Sequence, residues 1–395
     1  MKKLLLATAS TAILAAGAAG AEDVKLGTSL GFTGPLESMS PAMQAGVDLA
    51  AKEINESGQF MDGSMVTVVQ GDSTCVDAAA ATATVERLIT AEGVKGIVGG
   101  MCSGETIASL ENVAKPNGIV MISPSATSPA LSTIEDNGLF FRTSPSDARQ
   151  GDVMADIIMG RGIESVAVTY TNNDYGKGLA DSFAAAFTAK GGNVTTNSAH
   201  DDGKADYSAE VAALAAAGGD ALVVAGYVDQ GGSGIVRGSL DSGAFDTFVF
   251  PDGMVGQALV DNFGAEIDGS FGQNPAAEGE GREKFVEMAK AEGFDGTGAF
   301  SAESYDAAAL ILLSMAAAKS SDPAVYKDQV MAVANEPGEK IMPGELGKAL
   351  EILNGGGDID YVGASAVEMI EPGETAGVYR EVEYKDGDMT VVGYR

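Results

Sequence analysis

The chain has 395 residues, with 24 Lys and Arg against 56 Asp and Glu, and the resulting charge of −32 argues against nucleic acid or an anionic membrane surface as a partner. A hydrophobic share of 45% supports a sizeable core, and the length suits two or three domains. One His (His200) and no Trp leave His-based zinc sites, Ser-His-Asp triads and Cys-His dyads without raw material.

Lys2 and Lys3, the apolar run from Leu4 to about Ala16 and the small residues Ala19-Gly20-Ala21 predict a signal peptide over 1–21, cleaved before Glu22. The run falls short of the ~20 apolar residues of a membrane anchor, and no Cys follows it for lipid attachment. The expected product is periplasmic, and loss of Lys2 and Lys3 takes its charge from −32 to −34. Export gives the only two cysteines an oxidising compartment, so a Cys75–Cys102 disulfide is expected, with two free buried thiols as the alternative. A CxxC redox or metal spacing is absent. His200, in Ala199-His200-Asp201-Asp202, reads as a solvated loop residue.

Val24–Leu30 reads as the first strand. Met43, Val47, Ala50 or Ala51, and Ile54 then keep helical spacing as far as Gly58. The alternation continues with strand Met65–Val69, helix Ala78–Ile89, strand Lys95–Val98, helix Thr106–Ala114 and strand Ile119–Ile122. A second series follows Arg142: helix Asp147–Met159, strand Val166–Tyr170, helix Gly178–Ala189, strand Val194–Ser198, helix Tyr207–Ala217, and strands Ala221–Ala225 and Thr247–Phe250. Helix-rich sequence runs from about Ala276 to Leu353, and the tail from Tyr361 to Arg395 alternates like antiparallel strands about a Lys385-Asp386-Gly387-Asp388 turn. Strand and helix in this order predict an α/β protein of two doubly wound parallel-sheet lobes with a ligand cleft between them.

In such sheets ligands bind at the carboxyl ends of strands, where loops expose backbone N–H groups. Three loops have that place and polarity: Gly31–Pro35, Gly99–Thr106 and Ser123–Pro129. Turn and capping chemistry explains single Gly and Ser residues there equally well. No Walker A site exists, because the position five residues before Gly176-Lys177, Gly203-Lys204 and Gly347-Lys348 holds Thr171, Ser198 and Met342. Gly27, Gly31 and Gly34 lack dinucleotide spacing, so no cofactor is expected.

These loops, in this order, resemble those of periplasmic branched-chain-type amino acid binding proteins, the substrate-binding components of ABC importers with the type I periplasmic binding fold. The resemblance rests on Phe32-Thr33-Gly34-Pro35 with the helix running to Glu53-Ile54-Asn55, on Val98–Gly104, on Met121–Pro129 and on Asp174–Ala180. It implies three chain crossings, with a first lobe of 22–142 plus about 276–355 and a second of 143–275 plus about 356–395. It further implies that Ser103 binds the ligand α-carboxylate, Ser125 offers a carbonyl to the ammonium, Thr127 adds polar contacts, and Tyr175 and Tyr227 close from the second lobe. Asp252 falls where the family carries a glutamate for the ammonium. Phe32, Met101, Phe300 and the disulfide would line the side-chain pocket, and Glu105 and Glu303 would add polarity to it, although Glu105 is expected to lie outside the set that recognises the ligand backbone. The implied function is non-enzymatic: a monomer that captures an amino acid, branched-chain or otherwise small and apolar, for an ABC permease. A periplasmic sensor of amides or amino acids would have the same fold.

Overall fold

The computed structural model describes residues 23–395; the expected signal peptide over 1–21 lies outside them. Two seven-stranded sheets and one two-stranded sheet carry the fold. Across the first the order is Met369–Ile370, Glu374–Thr375, Phe140–Arg142, Met121–Ser123, Ile97–Gly99, Val24–Leu30, Val66–Asp72. Across the second it is Asp388–Tyr394, Tyr379–Lys385, Phe271–Pro275, Phe248–Phe250, Ala221–Ala225, Ser165–Thr171, Asn193–His200. Antiparallel pairing is confined to one edge of each sheet; elsewhere the strands are parallel. Parallel strands covered by helices on both faces read as continuous apolar runs, and Ala221–Ala225 is buried at all five positions.

Both sheets share one winding. The first strand of each lies inside, the second takes the outer edge, and the third returns on the other side of the first. The carboxyl ends of Val24–Leu30 and Ile97–Gly99 therefore lie side by side, as do those of Ser165–Thr171 and Ala221–Ala225. Reversal of winding direction opens a crevice at these ends, so each lobe presents its ligand-facing loops from a comparable place.

Helix Ser301–Ala318 is buried along 301–316, which is why its sequence is apolar on every side. It crosses helix Ser40–Ser57 closely at Gly46, where a Cβ would lie 2.4 Å from the Ser301 carbonyl oxygen.

The chain passes between the large sheets after Arg142, after Pro275 and between Thr375 and Tyr379. The last passage corrects the expected division at about 355. Ile359–Tyr361 pairs with Glu339–Ile341, and Glu374–Thr375 joins the first sheet beside Arg142. Only Tyr379–Lys385 and Asp388–Tyr394 enter the second. Strands of two or three residues are too short for an alternating pattern to mark them.

His200 also departs from expectation. It ends strand Asn193–His200 and is 2% exposed, with Nδ1 2.8 Å from Thr169 Oγ1. Burial lowers its pKa to about 4 and keeps the ring uncharged at neutral pH.

Candidate functional site

On the first lobe, Ser103 opens helix Ser103–Ser109, and its Oγ accepts the Ser128 N–H at 3.0 Å. The hydroxyl hydrogen remains available to donate, and the Ser103 N–H, in the first helical turn, has no intrahelical acceptor. Ser125 Oγ donates to the Met101 carbonyl at 2.8 Å, while Met101 Sδ receives the Gly31 N–H at 3.2 Å. The loops after three different strands are thus tied together. Phe32 is half-buried and anchored by its N–H to Asp72 Oδ1 at 3.0 Å.

Cys75 and Cys102 form a disulfide across 27 residues with Cα atoms 5.1 Å apart. The bridge ties the turn after Val66–Asp72 to the residue before Ser103. Replacing both cysteines by Ser is expected to remove about 3 kcal/mol of stability, from the loop entropy returned to the unfolded chain. Urea melts of the variant and of the oxidised wild type check this.

On the second lobe, the Tyr175 and Tyr227 rings stack 5.2 Å apart at 11°. Tyr175 Oη donates to Asp252 Oδ1 at 2.6 Å and accepts the Gly253 N–H at 3.1 Å. Tyr227 Oη accepts from Asn173 Nδ2 at 3.2 Å. These side chains leave the strand ends Thr171, Ala225 and Phe250, so the winding converges them. Gly253 is needed here, because a Cβ would sit 2.6 Å from the Gly226 carbonyl oxygen and 2.9 Å from Tyr175 Oη.

The lobes meet across the site. The Asp229 N–H donates to the Pro35 carbonyl at 3.1 Å, and Asp229 Oδ2 accepts the Ser38 N–H at 2.9 Å. One apolar cluster includes Met101, the disulfide and Phe300 from one side and Tyr175, Tyr227 and Met254 from the other, with Phe32 packed against it. Ser103, Thr127, Tyr175, Tyr227 and Asp252 are each at most 4% exposed, and Ser125 is also buried. This is the closed arrangement of a two-lobed cleft. A groove of about 1010 Å³ lies elsewhere, between helices Ser208–Ala217 and Gly231–Ser242.

Sequence reasoning missed Asp147. It begins helix Asp147–Gly160 behind the capping Ser146, so capping accounted for it. Its carboxylate oxygens, Thr127 Oγ1 and the side-chain amide of Gln150 are all buried without a well-aligned hydrogen bond, with the Thr127 hydroxyl beside Asp147 and the Gln150 amide beside Asp252. Burial, and then the charge of Asp252, push the Asp147 carboxyl well above the usual carboxylate range. Asp252 is also raised by burial, opposed chiefly by the Tyr175 hydrogen bond. The nearby cation, Arg142, is committed to Glu374, Ser132 and the carbonyls of Ala126 and Ser128. Two acidic groups of one cleft, among the described residues, therefore face each other without an ion-pair partner. A group carrying positive charge would complete them.

The remaining acids behave differently. Glu105, expected to add polarity to the side-chain pocket but to lie outside the set that recognises the ligand backbone, is 2% exposed and holds the N–H groups of Met101 and Cys102. Glu303 is buried near the crossings, with its backbone carbonyl accepting the Thr143 hydroxyl at 2.8 Å; burial raises its carboxyl to about 7.

The sequence pattern of the periplasmic binding protein family matches residues 23–342. The chain belongs to this family. It is a solute receptor and not an enzyme, and its two lobes have the type I periplasmic binding fold. A Leu/Ile/Val-binding protein homologue of Brucella melitensis is 30% identical over 328 residues, covering 82% of this chain and 86% of the relative. A leucine binding protein of Thermotoga maritima superposes with a TM-score of 0.78 at 22% identity, over 94% of this chain and 98% of that one. A branched-chain amino acid transporter substrate-binding protein of Streptococcus pneumoniae, in complex with isoleucine, gives 0.77 at 23% identity, over 94% and 99%. No helix of this receptor, among the described residues, is long and apolar enough to cross a membrane.

Proposed function

We propose that this receptor binds a zwitterionic amino acid with a small apolar side chain, of the leucine, isoleucine or valine type, and delivers it in the periplasm to an ABC permease as a monomer. The observation that carries the reading is the pair of buried, uncompensated carboxyls, Asp147 and Asp252. An α-ammonium placed between them supplies the missing charge, and the unpartnered Thr127 hydroxyl and the Ser125 carbonyl add acceptors for its N–H groups. The Ser103 hydroxyl and N–H are free for the carboxylate. Tyr175 and Tyr227 close over the ligand, and Met101, Phe32, Phe300 and the disulfide supply an apolar wall that suits a branched aliphatic side chain.

Ligand contacts shared between lobes exist together only when the cleft is closed, so the ligand shifts the protein toward closure by that difference in affinity. The names of the relatives support the same ligand class. A thermal-shift screen of the standard amino acids, urea and short amides tests it. Leu, Ile or Val is expected to stabilise by about 2.7 kcal/mol at a hundredfold excess over Kd. Stabilisation by neutral amides alone would overturn the zwitterion reading.

A further inference from the structure

The Gly99–Thr106 loop is held from below by one acid. Glu105 Oε1 accepts the Met101 N–H at 2.7 Å and the Cys102 N–H at 3.2 Å, from the two residues that lead into Ser103. Met101 in turn holds Gly31 and Ser125, so three ligand-facing loops depend on this carboxyl. The fit is close. A Cβ on Gly100 would lie 2.5 Å from Oε2 and 2.6 Å from Oε1, which is why that position carries glycine.

Oε2 is buried, has no hydrogen-bond partner, and lies beside Ser73. Charged groups on the surrounding elements include Asp72, which holds the N–H groups of Phe32, Thr33 and Thr74; Asp77, which caps helix Ala78–Arg87, with Glu86 and Arg87 on it, Arg87 paired with Glu92; Glu111, in the turn after Ser109; and Asp174 and Lys177, with Asp174 Oδ2 3.1 Å from where a Gly104 Cβ would be. None of them bonds Glu105. A carboxylate in this place would have two N–H donors on one oxygen, only the Ser73 hydroxyl beside the other, and no cation.

We propose that Glu105 is a positioning residue that works as an uncharged acid: it fixes the Met101–Ser103 segment for the ligand's carboxylate, and its ionisation weakens binding by putting a negative charge beneath that carboxylate. This rests on the amino-acid reading of the site. Burial pushes the Glu105 carboxyl up to about 8, opposed by the Cys102 and Met101 N–H bonds and by the Ser73 hydroxyl. At neutral pH the acid is therefore mostly neutral, and Oε1 still accepts both N–H groups. An anionic ligand raises that pKa further, so binding takes up a proton once the pH passes about 8.

The test is calorimetric titration of leucine into wild type, Glu105→Gln and Glu105→Ala from about pH 6.5 to 9, with ligand-free melts from about pH 4.5 to 9. Gln keeps the acceptor and the shape but cannot ionise. It is expected to bind within about threefold of wild type at pH 7 and to escape the loss, approaching tenfold per pH unit, that wild type shows above about pH 8. Ala leaves two buried N–H groups without an acceptor and is expected to bind at least about tenfold more weakly at every pH.

The melts report on the acid without any ligand. A carboxyl whose folded pKa lies above its unfolded value contributes stability at low pH that is lost as the pH rises toward the folded pKa. Gln should therefore gain melting temperature over wild type between about pH 4.5 and 8 and hold the gain above that. Parallel pH profiles for wild type and Gln, in binding or in melting, would overturn the proposal while leaving the amino-acid reading intact. A wild type that melts as described but binds no amino acid would overturn that reading, and the carboxylate role with it.

Discussion

Asp252→Asn is expected to weaken amino acid binding by about 2–5 kcal/mol, the range for removing one partner of a buried charge pair, and at the same time to stabilise the ligand-free closed protein. The two effects have one cause. In the proposed complex, Asp252 supplies charge to the ammonium. Without ligand, closure brings Asp252 toward Asp147 with no cation between them, and both carboxyls are held above their ordinary values. Asn keeps the shape and the Tyr175 contact and removes the repulsion. The sign follows from linkage: a carboxyl raised on folding contributes stability at low pH that is lost as the pH rises through its folded value. The advantage of Asn over Asp should therefore be absent in acid, below the ordinary carboxylate range, and should grow toward neutrality. Asp147→Asn should behave alike, and the two changes should be non-additive because they act on one cation. Leucine calorimetry gives the affinities, and melts and small-angle scattering of ligand-free protein give stability and closure. Binding within twofold of wild type would place the ammonium elsewhere.

Arg142→Met is expected to cost about 3–5 kcal/mol of stability, as when a buried ion pair loses one member. Arg142 is 1% exposed and pairs with Glu374, while its other N–H groups reach Ser132 Oγ at 2.7 Å and the carbonyls of Ala126 and Ser128 at 3.1 and 3.0 Å. Its loss strands three acceptors and a carboxylate at the point where the returning strand Glu374–Thr375 is sewn onto the first sheet. Those carbonyls flank Thr127, so affinity should fall as well. Adding Glu374→Leu should recover much of the stability, because an apolar pair is close to neutral where a lone buried charge is not. Urea midpoints of the single and double variants measure both steps.

What the sequence made legible follows from what repeats in it. Ala-rich helices alternating with β-branched runs define parallel sheets, and loops placed after strands nominate the cleft before any contact is known. Helix Gly231–Ser242 escaped notice because four of its twelve residues are glycines, which read as a loop. Packing explains them: a Cβ at Gly232 would lie 2.3 Å from Met254 Sδ, and one at Gly234 would lie 2.4 Å from the Tyr207 ring. The strand Phe271–Pro275 was hidden in the same way by its polar Gln273 and Asn274, both buried. Asp147 escaped as a functional residue for a different reason, and Glu105 was expected only to add polarity to the side-chain pocket. Local capping accounts for each in sequence, and only burial without a compensating charge shows more. His200 went the opposite way, because its acidic neighbours suggested water where the strand end is enclosed.

Asp229 separates two properties that are usually adjusted together. Its N–H and its carboxylate join the lobes through the Pro35 carbonyl and the Ser38 N–H, none of them a group assigned to the ligand. Strengthening or loosening such a clasp changes the residence time of every cargo by the same factor and alters no preference among cargoes. Lineages of this receptor could thus retune retention to the nutrient supply of a habitat by changes at the rim, while the chemistry that tells one amino acid from another stays untouched.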